Sequence, residues 1–390
     1  MKVDKDNLEH WFLLIVSGLL IFASMPFRLF RKKDAKKRVV FFYQMHGNSR
    51  AFSDYLELND DTIEMYFLAF PEYLKVYESH QNLPTLSMTS FRDMIKVARS
   101  DIIITNYGAL TLVYYAKYTK IKFVDTFHGI LLLKFMPPPI LSYLNSYDEV
   151  WVSSPYMKKL YKDKFGVTAK TVATGYARTD KLASSSYHGV KEKYNLPKNK
   201  KIIMIAPTWK HNDPNRNLLP FGMKEKELVS YLKTLAEETN SFIIFRAHML
   251  SGNILGSESN QSIRAMSSGL YPDTEELLSI ADILVTDWSS LAFDFLVVDR
   301  PVIFIDTQPP FRGEDIVRRS NPSGRFGEII KEKDEFDVTI KQYLKNPKLY
   351  LTKHAKSIEQ MKELAYGDTA DGKAVERYYE RMKMLLNRKD

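Results

Sequence analysis

From Val39 onward the chain repeats one pattern: a short apolar run, a turn, and a longer segment with apolar residues at helical spacing. Apolar runs too short for helices and rich in Val, Ile and Phe read as strands buried on both faces; helices between them imply a parallel sheet covered on each side. Val39–Tyr43, Ile63–Ala69, Ile102–Thr105, Ile121–Phe127, Val150–Ser153 and Thr171–Thr174 form a first series. Ser184–Lys200 is polar, carries a proline and several lysines, and reads as a linker. Lys201–Ala206, Ser241–Ala247, Ile283–Thr286 and Val302–Ile305 form a second series. Helical segments lie between the runs, among them Ser90–Ser100, Lys224–Thr239 and Ser289–Val298, and from about Glu335 the chain is charged and helical. The expected fold class is α/β: two consecutive Rossmann-like domains facing a cleft, residues 39–184 and 185–390, the second carrying the terminal helices. Ligands in such sheets bind outside the carboxyl ends of the strands, so the residues just after each run are the candidates for function.

Residues 1–38 differ from the rest. Trp11 to Phe27 is a 17-residue run without a charge, followed by Arg28, Arg31, Lys32, Lys33, Lys36, Lys37 and Arg38. The run is borderline for a full span, which takes about 20 apolar residues. With the basic cluster after it rather than before it, a cleaved signal peptide fits poorly, and the positive-inside rule puts the body on the cytoplasmic side of a cell membrane. The expectation is a peripheral or single-span membrane helix; a buried core helix is the competing reading. The formal net charge of +9 calls for an anionic partner, whether a phosphorylated substrate, an acidic membrane or nucleic acid. No nucleic-acid-binding motif is visible, so nucleic acid ranks last. With no cysteine among 390 residues, disulfides, iron–sulfur clusters, thiolate zinc sites and cysteine nucleophiles are excluded.

Five constellations stand at strand ends. His128-Gly129 follows Ile121–Phe127: a histidine there suits general base work and the glycine lets a substrate approach, while a structural histidine fits the same pattern. Gly175 to Asp180 (GYARTD) follows Thr171–Thr174; Arg178 can grip a phosphate and Asp180 can cap the next helix, or the two can form a surface pair. Pro207 and Thr208, with Trp209 and Lys210, offer a hydroxyl and an aromatic plane or simply a turn. Arg246 and His248, two apart, point to one face where they could meet a diphosphate. Thr286 and Asp287 lead through Trp288 to Ser289 and Ser290 at a helix start, where hydroxyls and free amides attract anions, although plain N-capping accounts for serines there equally well.

The order and spacing of these motifs resemble the CDP-glycerol glycerophosphotransferase family. TDWSS within Asp273–Asp306 is similar to that family's "TDYSS" core, FHG at Phe127–Gly129 to "WHG", GYARTD to "GxPRxD", APTWK at Ala206–Lys210 to "PTyR", RAH at Arg246–His248 to "RxH", and DGKAVER at Asp371–Arg377 to "DGKAsER". The resemblance covers about residues 100 to 380 and departs from the family at Ala177, Trp288 and the apolar Ile130–Met136. It implies a GT-B architecture with the CDP part of the donor in the C-terminal domain. It also implies His128 as the base that deprotonates the acceptor, and His248, Arg246, Ser289 and Ser290 as ligands of the donor diphosphate. The implied substrates are CDP-glycerol or another CDP-polyol and a lipid-linked polyprenyl diphosphate saccharide, in the synthesis of a teichoic-acid-like polymer. No cofactor is implied; a divalent metal could assist, but no carboxylate cluster for one is visible. A nucleotide-sugar glycosyltransferase and a non-catalytic membrane-surface protein of the same fold are the competing readings. Ile130–Met136 reads either as a second membrane contact or as a core segment.

Overall fold

A computed structural model of the protein describes residues 7–31, 36–77, 83–136, 141–208, 220–246, 261–311 and 313–388. The chain divides into two compact units. The first comprises Met1–His128, Pro138–Asp180 and Lys373–Asp390; the second comprises Gly129–Pro137 and Lys181–Gly372. The expected body 185–390 is therefore split, because the last helix, Ala374–Asn387, packs on the first unit. Phe52, Trp151 and Tyr378 meet there, with ring centroids 4.7–6.1 Å apart.

The first unit is a seven-stranded sheet, β1 (Lys37–Phe42), β2 (Ile63–Ala69), β3 (Thr85–Ser87), β4 (Ile102–Thr105), β5 (Lys122–Asp125), β6 (Glu149–Val152) and β7 (Lys170–Ala173), in the order β3-β2-β1-β4-β5-β6-β7. The second is a six-stranded sheet, β8 (Lys201–Ala206), β9 (Ser241–Phe245), β10 (Ile263–Ala265), β11 (Ile283–Thr286), β12 (Val302–Ile305) and β13 (Glu328–Ile330), in the order β10-β9-β8-β11-β12-β13. The ladders within each sheet are parallel. Central strands such as β4, β11 and β12 are buried at every position, which is why they read as unbroken apolar runs. Three strands did not show in the sequence: β3, β10 and β13. Each is a three-residue edge strand, too short to leave a period. The strand order reverses between β1 and β4 in one sheet and between β8 and β11 in the other, so the loops after these strands flank the two switch points.

Leu8–Ser24 is a helix, started by the Asn7 side chain accepting from Glu9 N, and a 3-10 turn over Met25–Phe30 extends it past Pro26. Together Leu8–Phe30 is 23 residues, long and apolar enough to cross a membrane. One stripe is docked within the first unit: Ser17 on Thr111 at 3.0 Å, Ser24 on Tyr115 at 2.5 Å, and Arg28 donating to Ser100 O at 2.6 Å. The rest of the helix exposes Leu8, Trp11, Phe12, Ile15, Leu19 and Phe22, so it is not a buried core helix. Of the basic cluster, Arg31 pairs with Asp101, Arg38 with Glu64, and Lys36 donates to Asp61 O, while Lys32 and Lys33 lie outside the described residues. Arg38 also sits inside β1, so the N-terminal segment ends before Lys37 rather than at 38.

Candidate active site

At the carboxyl end of the first sheet, β5 runs into the turn Thr126-Phe127-His128. Asp125 is wholly buried beneath it. One carboxylate oxygen accepts from the Thr105 hydroxyl and the other from Phe127 N, each at 2.7 Å. Burial pushes its pKa up to about 6 even so, because desolvation outweighs these bonds. Phe127 takes φ +45°, the left-handed region that non-glycine residues seldom enter, and such strain persists only where surrounding contacts enforce it. The turn delivers His128 to an exposed position with its ring flat on Tyr107, centroids 3.8 Å apart and planes within 5°. His128 Nδ1 lies 2.9 Å from Asn106 O. A carbonyl only accepts, so Nδ1 carries the proton and Nε2 is the basic nitrogen of the neutral ring.

Residues the sequence reading passed over stand beside it. Asn48 donates to Thr126 O and Phe127 O at 3.0 and 3.1 Å. His46, after β1, meets Gln44 Oε1 at 2.6 Å and approaches Tyr107 edge-on at 5.9 Å. A signal for this was present: Met45-His46-Gly47 after the first strand repeats the Phe127-His128-Gly129 pattern after β5.

Arg178 is buried, its guanidinium 4.7 Å above the Tyr176 ring and its backbone N donating to Asn48 Oδ1 at 3.2 Å. A residue so buried is not half of a surface pair. Asp180 was expected to cap the helix that follows it. Its carboxylate instead accepts from Ala374 N and Val375 N at 3.0 and 2.7 Å, capping the C-terminal helix. Arg377 completes the joint by donating to Thr174 O at 2.7 Å. GYARTD and DGKAVER, nearly 200 residues apart, are thus two halves of one fastening.

In the second unit, Thr286 donates to Ala206 O at 2.7 Å. Asp287, also buried, accepts from Thr208 N at 2.7 Å and Trp288 N at 2.6 Å through one oxygen, and from the Thr307 hydroxyl at 3.0 Å through the other. Asp287 therefore ties together the ends of β8, β11 and β12. Pro207, Val285 and Ile305 line a small apolar cleft there with Pro220 and Thr307. Arg246 is buried, donates to Met266 O at 3.0 Å and to the Thr274 hydroxyl at 2.5 Å, and is lowered to a pKa of about 10 by desolvation. Its guanidinium holds two loops of its own unit, which leaves less of it for a diphosphate than the spacing implied. His248, Trp209 and Lys210 lie outside the described residues.

The helix after TDWSS is Leu291–Leu296, shorter than the expected Ser289–Val298. The Ser289 hydroxyl accepts from Leu291 N at 3.3 Å, and the Ser290 side chain makes no capping bond. Ser290 faces Gly129 instead: a Cβ on Gly129 would stand 2.8 Å from Ser290 Oγ. A side chain at 129 would crowd the Ser290 hydroxyl, while the backbone angle there is open to any residue. The segment after Gly129 belongs to this unit, where Ile130 to Leu133 are buried, Asn321 donates to Leu132 O and Leu133 O at 2.6 and 2.8 Å, and Phe135 N donates to Arg319 O at 2.7 Å. Ile130–Leu133 is core and not a second membrane contact, Lys134–Met136 are half-buried, and Pro137–Pro139 lie outside the described residues. Among the described residues no group of three His, Asp or Glu side chains is placed to hold a metal ion.

Comparison with known proteins adds to this geometry. A teichoic acid glycerol-phosphate transferase of Staphylococcus aureus is 26% identical over 301 residues, 70% of this chain and 75% of that protein. A teichoic acid poly(glycerol phosphate) polymerase of Bacillus spizizenii is 27% identical over 310 residues, 72% of this chain and 77% of that protein. Among solved structures, the wall teichoic acid polymerase TagF superposes with a TM-score of 0.72 at 19% identity, over 96% of this chain and 94% of that one. A UDP-N-acetylglucosamine 2-epimerase of Listeria monocytogenes gives 0.52 at 14%, over 91% and 98%, so the two-Rossmann architecture is shared more widely than the chemistry. The family model for CDP-glycerol:poly(glycerophosphate) glycerophosphotransferases matches residues 22–383, and the chain belongs to that family.

Proposed function

We propose that the protein transfers glycerol phosphate, or a related polyol phosphate, from a CDP-activated donor to a hydroxyl of a lipid-linked polyprenyl diphosphate saccharide in the synthesis of a teichoic-acid-like polymer. The observation that carries the reading is His128: exposed at a strand's carboxyl end, with Nδ1 committed to Asn106 O and Nε2 as the basic nitrogen. In the step, Nε2 takes the proton of the acceptor hydroxyl as its oxygen bonds to the donor's β-phosphorus. The bond from that phosphorus to the bridging oxygen breaks, and CMP leaves with the electron pair. Little covalent work falls to the protein; positioning and charge stabilisation dominate. The first unit serves the acceptor and the second unit serves the donor, with Ser289, Ser290 and, by the family resemblance, His248 as ligands of the diphosphate. Arg246, Thr286, Asp287 and Thr208 brace the loops of that unit through their hydrogen bonds. Incubating the purified protein with labelled CDP-glycerol, CDP-ribitol and a UDP-sugar on a lipid-linked disaccharide acceptor tests this. Transfer from a CDP-polyol is the expected result, and transfer from the UDP-sugar alone would replace the proposal by a glycosyltransferase.

The N-terminal helix supports a place at the cytoplasmic face of the cell membrane. Its docked stripe of Ser17, Ser24 and Arg28 and its open face of Trp11, Phe12, Leu19 and Phe22 favour a helix lying in the interface with its apolar side in lipid. An enzyme held there meets a lipid-anchored acceptor at raised effective concentration. Replacing Trp11, Phe12, Leu19 and Phe22 by serine should move the protein to the soluble fraction while activity on a soluble acceptor analogue survives. A fully membrane-bound variant at both low and high salt would place the anchor elsewhere.

A further inference from the structure

We propose that Asn48 is a positioning residue for His128, setting the tautomer and aim of the imidazole through the backbone of Phe127; this rests on the reading of His128 as the base. Phe127 is held in the left-handed region from both of its peptide groups. Asp125 takes its N–H at 2.7 Å, and Asn48 Nδ2 holds its carbonyl at 3.1 Å together with that of Thr126 at 3.0 Å. Fixing that carbonyl fixes the plane of the peptide leading into His128, because the peptide unit is rigid. The ring then reaches Tyr107 and Asn106 O, the contacts that leave Nε2 basic.

Asn48 is suited to this in a way no near-isostere reproduces. It is buried, it is the first residue of the helix Asn48–Asn59, and the helix keeps its amide in place. Its two N–H bonds serve the two carbonyls of the turn, while its Oδ1 accepts from Arg178 N at 3.2 Å, so its donor and acceptor halves are both used. One side chain thereby joins the FHG turn to the GYARTD turn. Aspartate has nearly the same shape but no N–H, and would set a carboxylate against two carbonyl oxygens. Alanine would leave both carbonyls without this donor. In either case the hold on the Phe127 carbonyl would be lost, and relaxation of that residue would release the ring from Asn106 O.

The test uses the full-length protein with Asn48→Asp, Asn48→Ala, His128→Ala and the double variant Asn48→Ala/His128→Ala. Turnover, the KM for CDP-glycerol and the nitrogen-15 spectrum of the imidazoles are measured for each, with melting curves and CDP-glycerol binding to establish that each is folded. The expected result is a fall in kcat of about 10-fold or more for both Asn48 variants, within the range for impaired general base catalysis, with KM for the donor unchanged. The His128 resonance should move from the Nδ1–H form toward a mixture of tautomers in Asn48→Asp. Because Asn48 acts through His128, the double variant should be no slower than His128→Ala alone. Losses that multiply in the double variant, or an Asn48→Asp protein that is folded and fully active beside an inactive His128→Ala, would overturn the proposal and leave the base assignment standing. A His128→Ala protein with normal turnover would overturn both.

Discussion

The carboxyl ends of the two sheets carry polar motifs of similar density, yet they use them in opposite ways. In the first, buried side chains brace the backbone so that one histidine is carried to the surface: Asp125 and Asn48 hold the turn, and His128 stands exposed on Tyr107. In the second, most of the motif is spent on itself. Thr286, Asp287 and Arg246 all bond to their own unit, and Asp287 alone gathers three strand ends. A polar residue at a strand end is therefore not by itself a ligand for substrate. What separates the two kinds is whether the side chain is buried among partners of its own unit or carried to the surface by a braced turn.

Five changes probe that contrast. The largest effect is expected from His128→Ala, which should cut turnover by about 100-fold or more, the scale of a lost general base, while donor affinity stays constant; steady-state kinetics with calorimetric titration of CDP-glycerol decide it. Next, Asp287→Ala should act on folding before it acts on chemistry. Leaving buried Thr208 N, Trp288 N and the Thr307 hydroxyl without this partner should cost about 3 kcal/mol in denaturant unfolding. An Asp287→Ala protein of wild-type stability that fails to bind CDP would reverse the assignment and make Asp287 a true ligand.

Ser290 should behave differently from Asp287. Ser290→Ala should leave stability near wild type and weaken CDP binding by roughly 1 kcal/mol, the worth of one ordinary hydrogen bond. Gly129→Ala should do the same by crowding the Ser290 hydroxyl, and adding it to Ser290→Ala should cost little more. Unchanged titration curves in both proteins would move the donor away from this loop.

The last and most diagnostic change concerns pH. Asp125 is raised from 3.8 to about 6 in the folded protein by desolvation, against the pull of Thr105 and the Phe127 amide. A carboxyl with a raised folded pKa adds stability fully below its unfolded value, and that contribution is lost as pH climbs through about 6. Asp125→Asn has no such proton. Between pH 4 and pH 7 the variant should therefore gain on the wild type, by up to roughly 3 kcal/mol. Parallel stability curves for the two proteins would show that the site is better solvated than its burial indicates. Tyr143, Tyr147 and Tyr161, whose pKa values burial raises further above 10, are neutral across this range and add nothing to it.

Much of this architecture was legible because it rests on local periodicity. Ile63–Ala69, Ile102–Thr105, Lys201–Ala206, Ile283–Thr286 and Val302–Ile305 form the strands read from their apolar runs, since central parallel strands must be apolar on both faces. The position of His128 at a strand's carboxyl end followed from the same pattern. Edge strands β3, β10 and β13 did not show, for their pairing is decided by the neighbour and not by their own three residues.

The partners of polar side chains were beyond reach for a different reason. Asp180 and Ala374 are 194 positions apart, Asn48 and Arg178 are 130 apart, and Asn321 and Leu132 are 189 apart. A hydrogen bond of this kind is set by where a finished sheet places two loops, and neither loop carries a record of the other. The sequence determined the two α/β units, the apolar N-terminal helix and the residues that could bear charge or a proton. Tertiary structure decided which of them are buried in the fold and which are carried to the surface, because burial is set by distances between segments, and the order of residues along the chain does not specify them.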